Sequence, residues 1–292
     1  MNIQWYPGHM TKTRRQMLED IKLVDMVAEV VDARIPISSR NPDLDSIVGS
    51  CPRMMILNRA DQADPQETAR WMRWYREQGC AVLETDARSG KGMARFSTVI
   101  QTALKEKIAV WQAKGQVGRP VRTMVVGIPN VGKSTLINKV AHRKSAKAGD
   151  RPGVTRGKQW VHVDRGLDLL DTPGILWPKF EDETVGMYLA FTGAVRDEIL
   201  DSEALATALL DLLRVRYPQA LEERYGVVVD GMQGWELLER MARKRGMLIS
   251  GGEVDTQRMS HVLLDEFRGG KLGRFTLEKL EDLRQENLEG RE

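Results

Sequence analysis

The segment Gly127-Ile128-Pro129-Asn130-Val131-Gly132-Lys133-Ser134 fits the pattern G-x-x-x-x-G-K-[ST] and stands between an apolar strand candidate, Val121 to Val126, and a helical stretch. In that setting the glycines let backbone N–H groups wrap a phosphate chain, and the following helix adds the favourable end of its dipole. Lys133 then reaches the β- and γ-phosphates, the Ser134 hydroxyl can ligate magnesium, and Asn130, Val131, Gly132 and Thr135 complete the phosphate-binding loop and its junction with the helix. Downstream, Asp171-Thr172-Pro173-Gly174 ends a second strand candidate. A carboxylate there suits magnesium, and the Gly174 N–H suits a γ-phosphate. Between the two, Arg151-Pro152-Gly153-Val154-Thr155 offers a switch threonine, Thr155, that completes the magnesium shell when a γ-phosphate is present.

The base is read from two further elements. Asn58-Arg59-Ala60-Asp61 matches N-K-x-D, with arginine for lysine. In that element the carboxylate of Asp61 accepts from the N1 and N2 donors of guanine, a pair that adenine lacks. Asp86-Ala87-Arg88 resembles S-A-K, which presents a backbone N–H, here that of Ala87, to guanine O6; Asp86 replaces the serine. The two departures, Arg59 and Asp86, keep an ATP-using reading open. Both elements precede the phosphate loop, the reverse of the common small-GTPase order. Such an order is a circular permutation, and it preserves spatial contacts while reconnecting neighbouring elements.

These residues must be positioned by strands and helices. Short β-branched or apolar runs at Leu23 to Val31, Met54 to Leu57, Ala81 to Leu83, Val121 to Val126, Gln159 to Val163 and Leu167 to Leu170 read as strands. Helical pattern follows Pro65, runs from about Met93 to Lys114, and resumes after Ser134. The alternation predicts an α/β fold with a doubly wound, mostly parallel sheet. From about Phe180 the pattern becomes helical, with no convincing strand beyond Val227-Val228-Val229. The predicted domains are 1–178, a permuted nucleotide-binding domain, and 179–292, a small all-α domain. Trp71, Trp74 and Tyr75 have the spacing of a core stripe.

With 292 residues, 41% hydrophobic and 29% charged, the composition excludes a fibrous or disordered chain. A net charge of +3 does not by itself mark a nucleic-acid binder. Cys51 and Cys80 have no metal-ligand spacing, and no apolar run has the length of a membrane span, so free thiols, no membrane association and the cytoplasm are expected.

The opening Trp5-Tyr6-Pro7-Gly8-His9-Met10, the loop Asp32-Ala33-Arg34-Ile35-Pro36, the phosphate loop and the permuted order together resemble the ribosome biogenesis GTPase A family, also called YlqF. Specific motifs carry the likeness over the first 180 or so residues, and the helical remainder agrees in character. The resemblance implies GTP hydrolysis coupled to late maturation of the large (50S) ribosomal subunit, through ribosomal RNA, in a protein monomeric off the ribosome and without DNA as a partner. A GTP-gated RNA-binding assembly factor with incidental hydrolysis is the alternative. Where Ras-like enzymes carry the water-orienting glutamine, this chain has Ile175, and the resemblance assigns His9 that role. It also assigns Asn130 as a ligand for potassium. From His142 to Lys158 six Lys/Arg residues (Arg143, Lys144, Lys147, Arg151, Arg156, Lys158) face one acid, Asp150, and can meet RNA phosphates. Lys12, Arg14 and Arg15 form a smaller basic cluster near His9. For the C-terminal helices, RNA docking and simple buttressing remain equally open.

Overall fold

In a computed structural model, residues 10–141, 159–163, 166–174, 182–195 and 201–283 are described. His9, Thr155, Ile175 and the basic stretch 142–158 lie outside these residues, as does the predicted domain boundary at 178/179.

The predicted apolar runs become six strands: β1 (Met26–Asp32), β2 (Arg53–Asn58), β3 (Ala81–Glu84), β4 (Val121–Val126), β5 (Gln159–Val163) and β6 (Leu167–Asp171). They form one sheet in the order β3-β2-β1-β4-β6-β5, parallel throughout except for β5, which runs antiparallel to β6 at the edge. All seven residues of β1 are buried, as a central parallel strand covered on both faces requires. Met26, Ala28 and Val30 enter the core on one face, and Val27 and Val31 enter those on the other.

The order explains how the permuted chain closes. The first half builds β1, β2 and β3 outward in one direction, and the second half builds β4, β6 and β5 outward in the other. The halves meet where β1 pairs with β4, the topological switch point at which open α/β sheets bind ligands beyond their strand ends. Pairs such as Asp32 with Asn58 and Val125 with Asp171 align the carboxyl ends of these strands along one rim.

Helices α1 (Met10–Asp20) and α2 (Asp43–Val48) flank the first half. Helix α3 (Pro65–Glu77) starts where Asp64 accepts hydrogen bonds from the Gln66 and Glu67 amides, with Pro65 in the first turn. Its Trp71 and Tyr75 are buried, in agreement with their reading as core residues, and Trp74 packs partly buried beside them. The helix predicted over 93–114 is divided. A 3-10 turn at Met93–Arg95 leads into α4 (Phe96–Ala103), and α5 (Lys105–Ala113) follows a break at Leu104, whose side chain turns into the core. After β4 comes α6 (Lys133–Val140).

The helical remainder comprises α7 (Glu183–Phe191), α8 (Ser202–Arg216), α9 (Pro218–Tyr225), α10 (Gly234–Lys244) and α11 (Thr256–Arg268). Helix α8 packs against α10 and α11 through Leu205, Leu209 and Leu213, and no strand forms at Val227 to Val229. The same apolar cluster contains Val30 and Val125 of the sheet and Phe267 and Phe275 from the C-terminal region. Beyond α11, residues 271–283 return to the sheet side and lie across the loops that follow β1 and β2. The Leu277 amide donates to Arg34 O at 2.7 Å, and the Trp71 indole donates to Glu278 O at 2.9 Å. This return has no counterpart in the expected division between sheet and helical domains. Among the described residues, no helix is long and apolar enough to cross a membrane.

One charge pair joins these parts. Arg34 is fully buried and holds Asp32 with two bonds, Nε to Oδ1 at 2.9 Å and Nη2 to Oδ2 at 2.7 Å, while its guanidinium lies over the Phe267 ring at 5.4 Å. Burial pushes the Asp32 carboxyl up, but Arg34 and Arg59 outweigh it and hold the group below its ordinary range. Truncating one partner strands the other charge in a buried site. Arg34→Ala is therefore expected to lower unfolding free energy by about 3–5 kcal/mol in urea titration, well beyond the cost of an exposed arginine.

Candidate nucleotide-binding site

The phosphate loop springs from the end of β4 at the switch point. Gly127 has φ 148°, and a Cβ there would sit 2.5 Å from Val30 O on the neighbouring strand, so only glycine lets the chain leave the sheet on this path. Gly132, at φ 98°, is the N-cap of α6, and Asn130 also has a left-handed backbone, at φ 60°. The loop thereby turns onto the helix N-terminus, where backbone donors and the helix dipole favour an anion. Lys133 is buried beneath it. Its Nζ donates to Gly127 O and Ile128 O, both at 3.0 Å, and burial, partly offset by the Asp171 charge, lowers its pKa to about 8.

From the other side β6 delivers Asp171, which is buried and in register with Val125. Thr172 Oγ1 donates to Val125 O at 2.7 Å and sews the end of β6 to the strand that carries the loop. A Cβ on Gly174 would come within 2.9 Å of Lys133 Nζ and of the Pro129 backbone, so this glycine lies directly against the phosphate loop. Ser134 and Asp171 supply a hydroxyl and a carboxylate, hard oxygen donors of the kind magnesium takes alongside phosphate oxygens. Among the described residues no group of three or more His, Cys, Asp or Glu side chains is placed to hold a metal, and a two-donor phosphate site would form no such group.

The base-reading elements meet the phosphate loop through Asn58. Its Nδ2 donates to Val131 O at 2.7 Å, and its Oδ1 accepts from Thr85 Oγ1 at 3.1 Å and from the Ala87 amide at 3.0 Å. Both ends of this buried amide are thus engaged in joining loops, and the Ala87 N–H expected at guanine O6 points to Asn58. Arg59 has φ 59°. Its Nη2 donates to Asn130 O at 2.9 Å, and its Nε lies 3.7 Å from Asp32 Oδ2. The arginine that replaces lysine therefore ties the base loop to the phosphate loop. Asp61 is exposed at the rim, and no side chain or backbone group hydrogen-bonds to its carboxylate among the described residues. Asp86 accepts from the Arg88 amide at 2.8 Å and holds the turn Asp86 to Lys91 closed; although burial opposes it, hydrogen bonds from Ser89 and Arg88 keep its carboxyl low. Ser134 and Thr135 lie in the first turn of α6, both partly buried.

Two contacts with the helical region had no signal in the sequence. Asn130 Nδ2 donates to Gly193 O at 2.8 Å, in the turn after α7. Arg268, at the end of α11, donates to Phe191 O at 3.1 Å and Ala190 O at 2.8 Å, the last residues of α7 just before that turn. The phosphate loop thus touches the helical region directly. Oδ1 of Asn130, the oxygen a potassium ion would take, accepts no hydrogen bond among the described residues.

A family model described as 50S ribosome-binding GTPase matches residues 122–223. It begins with β4 because the permutation has moved the base-reading strands upstream of the part it recognises. Ribosome biogenesis GTPase A of Priestia megaterium is 50% identical over 279 residues, covering 95% of this chain and 97% of that relative. The chain belongs to the ribosome biogenesis GTPase A family. The protein of the same name from Bacillus cereus is 47% identical, over 97% of this chain and 95% of its own length. Among solved structures, GNP-bound YlqF from T. maritima is 28% identical, covers 92% of this chain and 98% of its own, and superposes with a TM-score of 0.63. Membership of the family thus extends over the helical region as well as the motif-bearing half.

The buried lysine sets a pH dependence for nucleotide binding. A phosphate chain restores the charged form of Lys133, so above about pH 8 binding must take up a proton. Affinity for GDP is expected to fall as pH rises beyond 8, by up to about tenfold per pH unit. Calorimetry near pH 9 in two buffers of different ionisation enthalpy should report uptake of about one proton; unchanged heats would contradict it.

Proposed function

We propose that this protein is a GTP hydrolase of ribosome biogenesis that works on precursors of the large (50S) subunit and turns over GTP when docked on their ribosomal RNA. The observation that carries the reading is the convergence, at the β1/β4 switch point of a permuted sheet, of a buried phosphate-loop lysine, the Asp171 carboxylate and the Asp61 loop. An adenine would offer the Asp61 carboxylate no donor pair, so both hydrogen bonds that guanine makes there would be lost.

Within this reading Ser134, Asp171 and Thr155 would hold magnesium, which would supply positive charge against the phosphates. Lys133 and Gly174 bind the terminal phosphates, with Gly174 already against Lys133 and Pro129. Ile175 offers no hydrogen bond to the attacking water, so His9 from the N-terminal segment positions it. The Asn130 amide oxygen would hold potassium, which would supply a further positive charge there. RNA phosphates meet the basic stretch 142–158 and order Thr155, which links docking to hydrolysis. The protein acts as a cytoplasmic monomer between encounters with the ribosome.

Turnover at saturating GTP is expected to rise at least about tenfold on adding large-subunit precursor particles, and His9→Ala should remove about a hundredfold of the stimulated rate while sparing GDP binding. Turnover unchanged by particles and by His9→Ala would sink the catalytic part. Particle binding that depends on GTP but persists in a hydrolysis-dead variant would favour a GTP-gated RNA-binding factor, and ATP competing on equal terms with GTP would exclude guanine selectivity. In potassium against sodium buffers, Asn130→Ala is expected to abolish any advantage of potassium.

A further inference from the structure

The loop that carries Asp61 is held from outside its own half of the chain. Arg274, on the segment returning from α11, lays its guanidinium against two carbonyls of this loop. Nη2 donates to Ala60 O at 2.7 Å and Nε donates to Ala63 O at 2.8 Å. The neighbouring Phe275 amide donates to Gln62 O at 2.8 Å, and Thr276 Oγ1 accepts from the Asp64 amide at 3.2 Å and donates to Ala33 O at 3.4 Å. Residues 60, 62, 63 and 64 are therefore all gripped by three consecutive residues of the returning segment. Gly270, just ahead of them at φ 72°, has no room for a Cβ without pressing on the Gln62 side chain at 3.0 Å.

This grip acts on backbone and leaves one side chain untouched. Asp61 lies between the two carbonyls that Arg274 spans, and its carboxylate is exposed, with no hydrogen-bond partner among the described residues. The loop also begins in a left-handed turn at Arg59, a conformation that costs a non-glycine residue energy and persists only where its surroundings hold it. Within the loop the Gln62 amide donates to Arg59 O at 2.9 Å, and the Ala60 amide donates across to Thr85 O at 3.1 Å in the loop after β3. A carboxylate that must meet two donors of a flat base at about 2.8 Å tolerates little displacement of its backbone.

We propose that Arg274 is a positioning residue for guanine recognition, setting the Asp61 loop through its bonds to the Ala60 and Ala63 carbonyls. The inference rests on the reading that Asp61 binds guanine and adds to it the residue that aims it. The forked guanidinium is essential because two carbonyls accept from different nitrogens; an ammonium is a compact donor that cannot span them in the same plane. Arg274 is itself exposed, so its role is specific to the loop and not to core packing.

The test is a double-mutant cycle read as Kd for fluorescent GDP on the full-length chain. Arg274→Ala is expected to raise Kd about tenfold in the natural background and less than about twofold in an Asp61→Ala background, because the contact it positions is then gone. Arg274→Lys should lose nearly as much as alanine. Thr276→Val, nearly the same in shape, should raise Kd about threefold with the same dependence on Asp61, and it provides a second route should Arg274→Ala fail to fold. An equal loss with and without Asp61 would overturn the proposal by making Arg274 a general support of the fold or phosphate site. Full retention by Arg274→Lys would overturn it in favour of a charge effect, and no loss in the natural background would overturn it outright. If Asp61→Ala alone leaves Kd unchanged, it is the guanine reading of Asp61 that fails, and the proposal falls with it.

Discussion

The side-chain amide of Asn58 is the joint on which the site is assembled. It lies at the end of β2, buried, and is both donor and acceptor, a combination that aspartate or leucine of similar size would not provide. Its nitrogen holds Val131 of the phosphate loop and its oxygen takes the hydroxyl of Thr85 and the amide of Ala87. Three loops from three parallel strands thereby share one residue. Removing it would leave buried donors and acceptors on each loop without partners, which is more costly than the loss of the bonds themselves. Gly132 is part of the same constraint, since a Cβ there would collide with the Asn58 amide.

Around that joint the site concentrates buried charge. Asp32, Arg34 and Arg59 form one group, with the acid held low by its arginines. Glu29, on the same strand as Asp32, is pushed up by burial despite Arg40 at 3.3 Å. Glu278 on the returning segment accepts from the Ile37 and Ser38 amides, yet burial pushes its pKa to about 7. Charges of this kind contribute little net stability when compared with a well-packed apolar cluster, because desolvation offsets much of the pairing. Their effect is to fix the path of the loop from Asp32 to Arg40, which lies between the strand ends and the helical region.

The helical region is consequently tied by hydrogen bonds to two loops of the candidate site. One end of α11 reaches the phosphate loop through the last residues of α7 and the turn at Gly193, and the segment after it reaches the base loop through Arg274 to Thr276. The phosphate loop and the Asp61 loop are thus both in contact with the C-terminal region, one through the turn after α7 and the other through the segment after α11, and the apolar cluster that includes Val125 and Phe275 makes their relative movement costly.

The sequence by itself determined the six strands, the glycine-rich loop between β4 and α6, and the placement of the Asn58 and Asp86 loops at strand ends ahead of it. These depend on local chemistry: glycines where the backbone turns left-handed or approaches a neighbour, apolar runs of strand length, and polar residues at strand ends. The division of the 93–114 helix at Leu104 was not legible, because a buried leucine looks the same in a straight helix and at a break. Nor were the partners of Arg59, Asn130, Arg268 and Arg274. An arginine at the lysine position gives no sign in the sequence that its guanidinium meets Asn130 O and Asp32. Arg274 reads as one more surface cation, since its two acceptors are backbone carbonyls far away in the chain and carry no side-chain signature. Contacts to backbone carbonyls across the fold exist only once the sheet order has been set and the C-terminal segment has returned over it, and so tertiary structure alone decided them.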